Sequence, residues 1–69
     1  MVKAVTTLQE AIKEKVVFDD EKKDLIYQLG SLFEKMDKGE EAIAQFKLIY
    51  AVDAGYRDVG EKMDKFYGG

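Results

Sequence analysis

Cysteine, histidine, proline, tryptophan and asparagine are all missing from the 69 residues, and each gap narrows what the chain can be. Without cysteine there is no disulfide framework, which suits the cytoplasm. Without cysteine and histidine the chain lacks the thiolate nucleophile, the commonest general base and the usual zinc ligands. The carboxylates and lysines that remain recur as i,i+3 and i,i+4 neighbours, the spacing of a solvated helix face. The expectation is a protein that is not an enzyme and uses no cofactor or metal. Basic blocks are missing too: the net charge is −3 and acids alternate with bases throughout. Nothing would neutralise a run of phosphates, so nucleic acid is not an expected ligand. No apolar run reaches the length of a membrane span and no signal-peptide pattern opens the chain, so membrane insertion is not expected.

What is present is enough for one small domain. At 46% apolar the chain is too hydrophobic for disorder even with 36% charged residues. Its length lies near the lower limit at which one core keeps a chain folded. With no proline to interrupt helices, the hydrophobic period predicts an all-α fold with helices over about 2–15, 20–36, 39–53 and 56–67. In the first, Ala4, Val5, Leu8, Ala11 and Ile12 fall on one side, opposite Lys3, Thr7, Glu10, Lys13 and Glu14. After the linker "VVFDD", Asp19 or Asp20 is placed to cap the second helix, whose core stripe is Leu25, Ile26, Leu29, Leu32, Phe33 and Met36. "DKGE" makes a turn in which Asp37 and Glu40 have the spacing of a capping box.

The third helix is apolar on two sides. Ala42, Phe46 and Ile49 mark one face and Ala44, Leu48 and Ala51 the opposite one. Such a helix is expected to be the middle element, buried on both sides. Gly55 is expected to end it in the left-handed conformation. The last helix carries the stripe Tyr56, Val59, Met63, Phe66 and Tyr67, and Gly68 and Gly69 read as a frayed end.

One residue breaks the pattern. Gly30 sits inside "LIYQLGSLF", where a glycine costs about 1 kcal/mol against alanine. Close approach of a neighbouring helix, with Ala42 as the small residue opposite, would offset that cost. Gly60 repeats the arrangement in the last helix, because Ile26, Leu29, Gly30 and Phe33 have the same internal spacing as Tyr56, Val59, Gly60 and Met63. Helices one and three share Ala-x-x-x-Leu or Ala-x-x-x-Phe, at Ala4 and Leu8 and at Ala42 and Phe46. An alternating two-helix repeat is the mark of a helical solenoid.

These residues resemble the tetratricopeptide repeat. Ile26 stands at the large position, Leu29-Gly30 match outright, Phe33 takes the aromatic position, and Ala42 and Phe46 follow in the partner helix. One complete repeat, roughly 23–54, lies between a second-type helix and a first-type helix. Two departures stand out: Ala54 occupies the position of the closing proline, and the helix spacings straddle the family's 34 residues. A compact four-helix bundle is the alternative arrangement. The chain is also expected to be part of a longer protein.

The resemblance implies a non-catalytic module that binds a peptide or partner helix in a shallow groove along the first-type helices. It places Asp24, Tyr27, Ser31, Glu34 and Lys35 on that face, with Arg57, Glu61, Asp64 and Lys65 on the last helix. Tyr27 would be the aromatic anchor. Relatives that clamp a terminal carboxylate use lysine paired with asparagine, and a chain without asparagine does not fit that mode.

Self-association within a larger assembly is the alternative function, with a homo-oligomer as its product. A remote alternative starts from Ser31, the lone serine of a small acidic helical chain, which resembles acyl carrier proteins in that respect. Carriers present their serine after an aspartate at a helix start, whereas Gly30 precedes Ser31 in mid-helix. The nucleophile-elbow glycine is also missing, and "DKGEE" lacks the alternating oxygen ligands of a calcium loop.

Overall fold

The computed structural model describes residues 2–68, which form four helices: α1 Val2–Glu14, α2 Asp20–Lys35, α3 Gly39–Val52 and α4 Val59–Gly68. Gly68 is the last helical residue, and Gly69 lies outside the described residues.

Local chemistry accounts for most of the boundaries. Asp19 is extended (φ −103°, ψ −174°) and its carboxylate accepts the Lys22 amide at 2.9 Å, satisfying one of the unpaired donors at the start of α2. Asp20 and Glu21 place negative charge in the first turn, where the helix dipole favours it. At the other end Lys38 donates to the Phe33 carbonyl at 2.8 Å and Asp37 to that of Glu34 at 3.1 Å. That is the double bond of a Schellman closure, and it needs a left-handed residue. Asp37 supplies it, with φ 61°. The capping box is therefore not formed: Lys38 is the N-cap of α3 and makes no side-chain cap bond. Asp37 is spent on ending α2 instead.

The α3–α4 connection also departs from expectation. Gly55 is not left-handed, and the turn residue with positive φ is Arg57, at 45°. Tyr56 donates to the Asp53 carbonyl and Val59 to that of Tyr56. The chain thus makes two successive turns before helix begins. Consequently α4 starts at Val59, not at Tyr56.

The core is built between α2 and α3. Ile26, Leu29 and Phe33 meet Ala42, Ile43, Phe46 and Ile49, with Val59 of α4 closing one side. Each fully buried large side chain contributes about 1.5–3 kcal/mol. Val5, Leu8 and Ile12 of α1 pack on this core, as do Met36, Tyr56 and Met63. Gly30 is where the hairpin is tightest. A Cβ placed there would lie 2.7 Å from Cε1 and 2.8 Å from Cζ of Phe46. The glycine therefore makes room for a ring and not for a second backbone. Gly60 is not its equivalent: a Cβ there meets nothing nearer than 3.7 Å.

Consecutive helices are neighbours. α2 packs against α1 and α3, α3 packs against α4, and the α1 and α4 backbones stay apart. The result is a row of antiparallel hairpins with Cα extents of 34 × 25 × 14 Å. α3 is the partner of both α2 and α4, as its pattern predicts, but only one side of it is buried. Ala44, Leu48 and Ala51 are exposed, because no described element crosses over to cover them. Among the described residues, no helix is long and apolar enough to cross a membrane.

Candidate functional site

The row of hairpins leaves a groove along the outer side of α2. Ala4 and Leu8 of α1 form one wall, and Tyr27, Gln28, Ser31, Leu32 and Lys35 of α2 form the floor. Arg57 stands at the far edge. The volume is about 400 Å³. Helical period explains the floor, since residues 28, 31, 32 and 35 recur at three and four positions on the side turned away from Phe46.

Four of the nine residues expected in the groove line it: Tyr27, Ser31, Lys35 and Arg57. Glu34 and Glu61 do not. They lie on a separate recess of about 300 Å³, between α2, the start of α3 and α4. Asp24 faces Arg57, accepting from its guanidinium at 2.7 Å. Ala4, Leu8, Gln28 and Leu32 were not anticipated as lining residues. The Ala4-x-x-x-Leu8 spacing marks them as apolar, but not as standing at the edge of the core.

Tyr27 differs most from expectation. It is half-buried, not free at the surface. Its ring centroid lies 5.5 Å from that of Phe46 and 6.3 Å from that of Tyr56. The Arg57 guanidinium sits 4.9 Å above its face and 5.3 Å from the Tyr56 ring. Its hydroxyl donates to Asp58 at 2.5 Å. That bond, with burial, pushes the Tyr27 phenol above its ordinary range, and it holds the Asp58 carboxyl below the usual carboxylate range. The turn before α4 covers the tyrosine because Arg57 and Asp58 both reach back to α2. Tyr27 is thus part of the groove floor and not an anchor projecting from it.

Three further contacts close the same seam. Lys62 donates to Glu34 at 2.8 Å. Burial pulls the Lys62 ammonium down, but the Glu34 bond and the charges of Glu34 and Asp58 outweigh it and leave it raised. Lys23 donates to Asp53 at 3.0 Å and lies 3.0 Å from Asp20, and the bond to Asp53 does most to raise it. Arg57–Asp24 completes the set. The mixed charge expected of the groove is thus largely a set of intramolecular pairs joining α2 to α4 and the turn before it. Lys35, which is exposed, remains at the groove. Ser31 lies in mid-helix at the floor, well inside α2 and not at its start, so it lacks the setting of a carrier serine.

Asp64 and Lys65 are exposed on α4, and Lys65 lines the recess beside Glu61. Chemically, the α2 groove offers an apolar wall, the Ser31 hydroxyl and the Lys35 ammonium, while Gln28 and Arg57 both donate to Asp24. Among the described residues that line it there is no carboxylate. Such a surface can hold a chain segment and fix its register. No family model, no curated protein and no solved structure matches this chain.

Proposed function

We propose that the chain is a non-catalytic protein-interaction module of tetratricopeptide-like build. It takes a peptide or partner helix in the groove along α2. One observation carries the reading: the groove sets the apolar side chains of Ala4, Leu8 and Leu32 beside the exposed Lys35, while Arg57 at its edge is paired with Asp24. Apolar contact supplies area, while a few polar groups fix orientation. The suited segment presents small apolar residues with a carboxylate beside them. The order of consecutive antiparallel hairpins supports the tetratricopeptide-like build, since repeats of that kind stack helix–turn–helix units side by side. A cytoplasmic setting belongs to the same proposal, because a chain without cysteine needs no oxidising compartment to fold.

The test is a selection of displayed peptides on the wild-type protein, followed by binding to Ser31→Trp and Lys35→Glu. Tryptophan at Ser31 fills the floor, and Lys35 is exposed, so both variants should keep the wild-type helical spectrum. Selected peptides should be enriched in Asp and Glu and lose roughly tenfold or more in affinity for the tryptophan variant. Peptides that bind both variants as tightly as wild type, or no enrichment at all, would refute the groove as a binding site.

A further inference from the structure

We propose that the outer face of α3, together with the last turn of α4, is a second interaction surface, and that its occupant is the same face of a second copy of this chain. This surface lies apart from the α2 groove and does not depend on the reading given above.

The apolar content comes first. Leu48 is 50% exposed, Phe66 44% and Tyr67 62%, and Ala44 and Ala51 extend the stripe along α3. A shallow recess of about 270 Å³ runs between the two helices here, lined by Glu40, Ile43, Ala44, Lys47, Phe66 and Tyr67. Contiguous apolar surface of this kind marks an association site. The small core makes it more telling, because chains of this length gain stability by burying surface against a partner.

The charges select a second copy. Glu40 and Lys47 lie two turns apart on one flank of α3, the flank facing α4. A two-fold axis across α3 near Ala44 reverses the helix but keeps that flank on the same side. Glu40 of one copy then meets Lys47 of the other, and the pairing occurs twice. The same rotation carries the end of α4 across the interface. Phe66 lies over the start of α3, 3.6 Å from where a Gly39 Cβ would be. Tyr67, next to it, therefore arrives against the Leu48–Ala51 half of the other copy. Ala44 at the axis has little side chain, so the helices can approach closely. A contact of this type is isologous and closes at two, without open polymers.

Sedimentation velocity over micromolar to millimolar concentration tests the proposal. The wild type should show a monomer–dimer equilibrium. Leu48→Glu, at an exposed position, should keep its helical spectrum and weaken dimerisation roughly tenfold or more. Lys47→Glu alone and Glu40→Lys alone should each weaken it several-fold, since each sets like charges together twice. Mixing those two variants should restore a dimer, because both cross-pairs are again opposite in sign. A wild type that stays monomeric throughout would leave the face to some other partner and overturn the proposal. So would a dimer indifferent to Leu48→Glu, or charge variants that do not rescue each other.

Discussion

The α2–α3 hairpin and the α3–α4 pair are both antiparallel neighbours on one central helix, yet they are held by different forces. Between α2 and α3 lie seven of the eight buried apolar residues among those described, and the connection is a three-residue turn closed by two backbone bonds. On the other side α4 buries only Val59 fully, with Met63 packed against the core but partly exposed. It and the turn before it are tied down by Lys62–Glu34, Arg57–Asp24 and Tyr27–Asp58, all reaching across to α2. Apolar burial is worth more than pairs that remain partly in water. The difference teaches that the hairpin is the stable unit and that α4 is fastened to it by replaceable contacts. Local opening should therefore begin at α4, and hydrogen exchange would rank its amides below those of α2 and α3.

The largest effect should come from Phe46, whose ring is fully buried and touches both sides. Phe46→Ala should cost about 3–5 kcal/mol, and urea titration would show the whole chain losing cooperativity. The two glycines sharpen the contrast. Gly30→Ala places a Cβ within 3 Å of a fully buried ring, so a loss of about 1–3 kcal/mol is expected despite the gain in helix propensity. Gly60→Ala meets only ordinary contact and should stabilise by about 0.5 kcal/mol. Equal effects at the two positions would show that α4 is packed as tightly as α2.

Much of the fold was legible in the sequence. Of the expected α2 stripe, Ile26, Leu29 and Phe33 are buried while Leu25, Leu32 and Met36 are only partly so, and the expected α3 face of Ala42, Phe46 and Ile49 is buried. The first three helices begin and end within a residue of their predicted limits, because hydrophobic period and the Asp19 cap are local signals. What failed to show was decided elsewhere. The start of α4 depends on Arg57 adopting a left-handed conformation, which no composition rule requires of arginine. The covering of Tyr27 depends on Asp58, 31 residues away, so no local pattern could reveal it. Ala44, Leu48 and Ala51 were apolar on paper, but apolarity does not say which neighbour, if any, lies opposite. For the groove, the helix face was legible and the α1 wall was not.

Backbone strain divides along the same line. Asp37 and Arg57 are the two non-glycine residues with positive φ among those described. Asp37 ends the tight hairpin, and its carboxylate is needed for no cap. Asp37→Gly should therefore stabilise by about 0.5–1 kcal/mol, the relieved strain less the greater freedom of glycine in the unfolded chain. Arg57→Gly relieves the same strain but loses the stack over Tyr27 and Tyr56 and the bond to Asp24. A net loss of up to about 1 kcal/mol is expected. Opposite signs in thermal melts of the two variants would show that strain is compensated at the α4 latch and simply tolerated at the hairpin. Matching signs would remove that distinction.

The smallest effect belongs to the Tyr27–Asp58 bond, and pH gives it a signature. Tyr27→Phe keeps the ring against Phe46 and removes only the hydroxyl, so a loss of about 0.5 kcal/mol is expected at neutral pH. The Asp58 carboxyl is held low in the folded chain, chiefly by that hydroxyl. Its contribution is complete above the unfolded carboxylate value of about 4 and is lost as pH falls through the lower folded value. The Tyr27 phenol is raised by the same bond, so its contribution is complete below about 10 and fades as pH climbs through the higher folded value. The stability difference between wild type and variant should thus be flat from about pH 5 to 9 and shrink at both extremes. A difference that does not change with pH would mean the hydroxyl acts through packing alone. In that case the polar fastening of α4 to α2 rests on the Arg57–Asp24 and Lys62–Glu34 pairs.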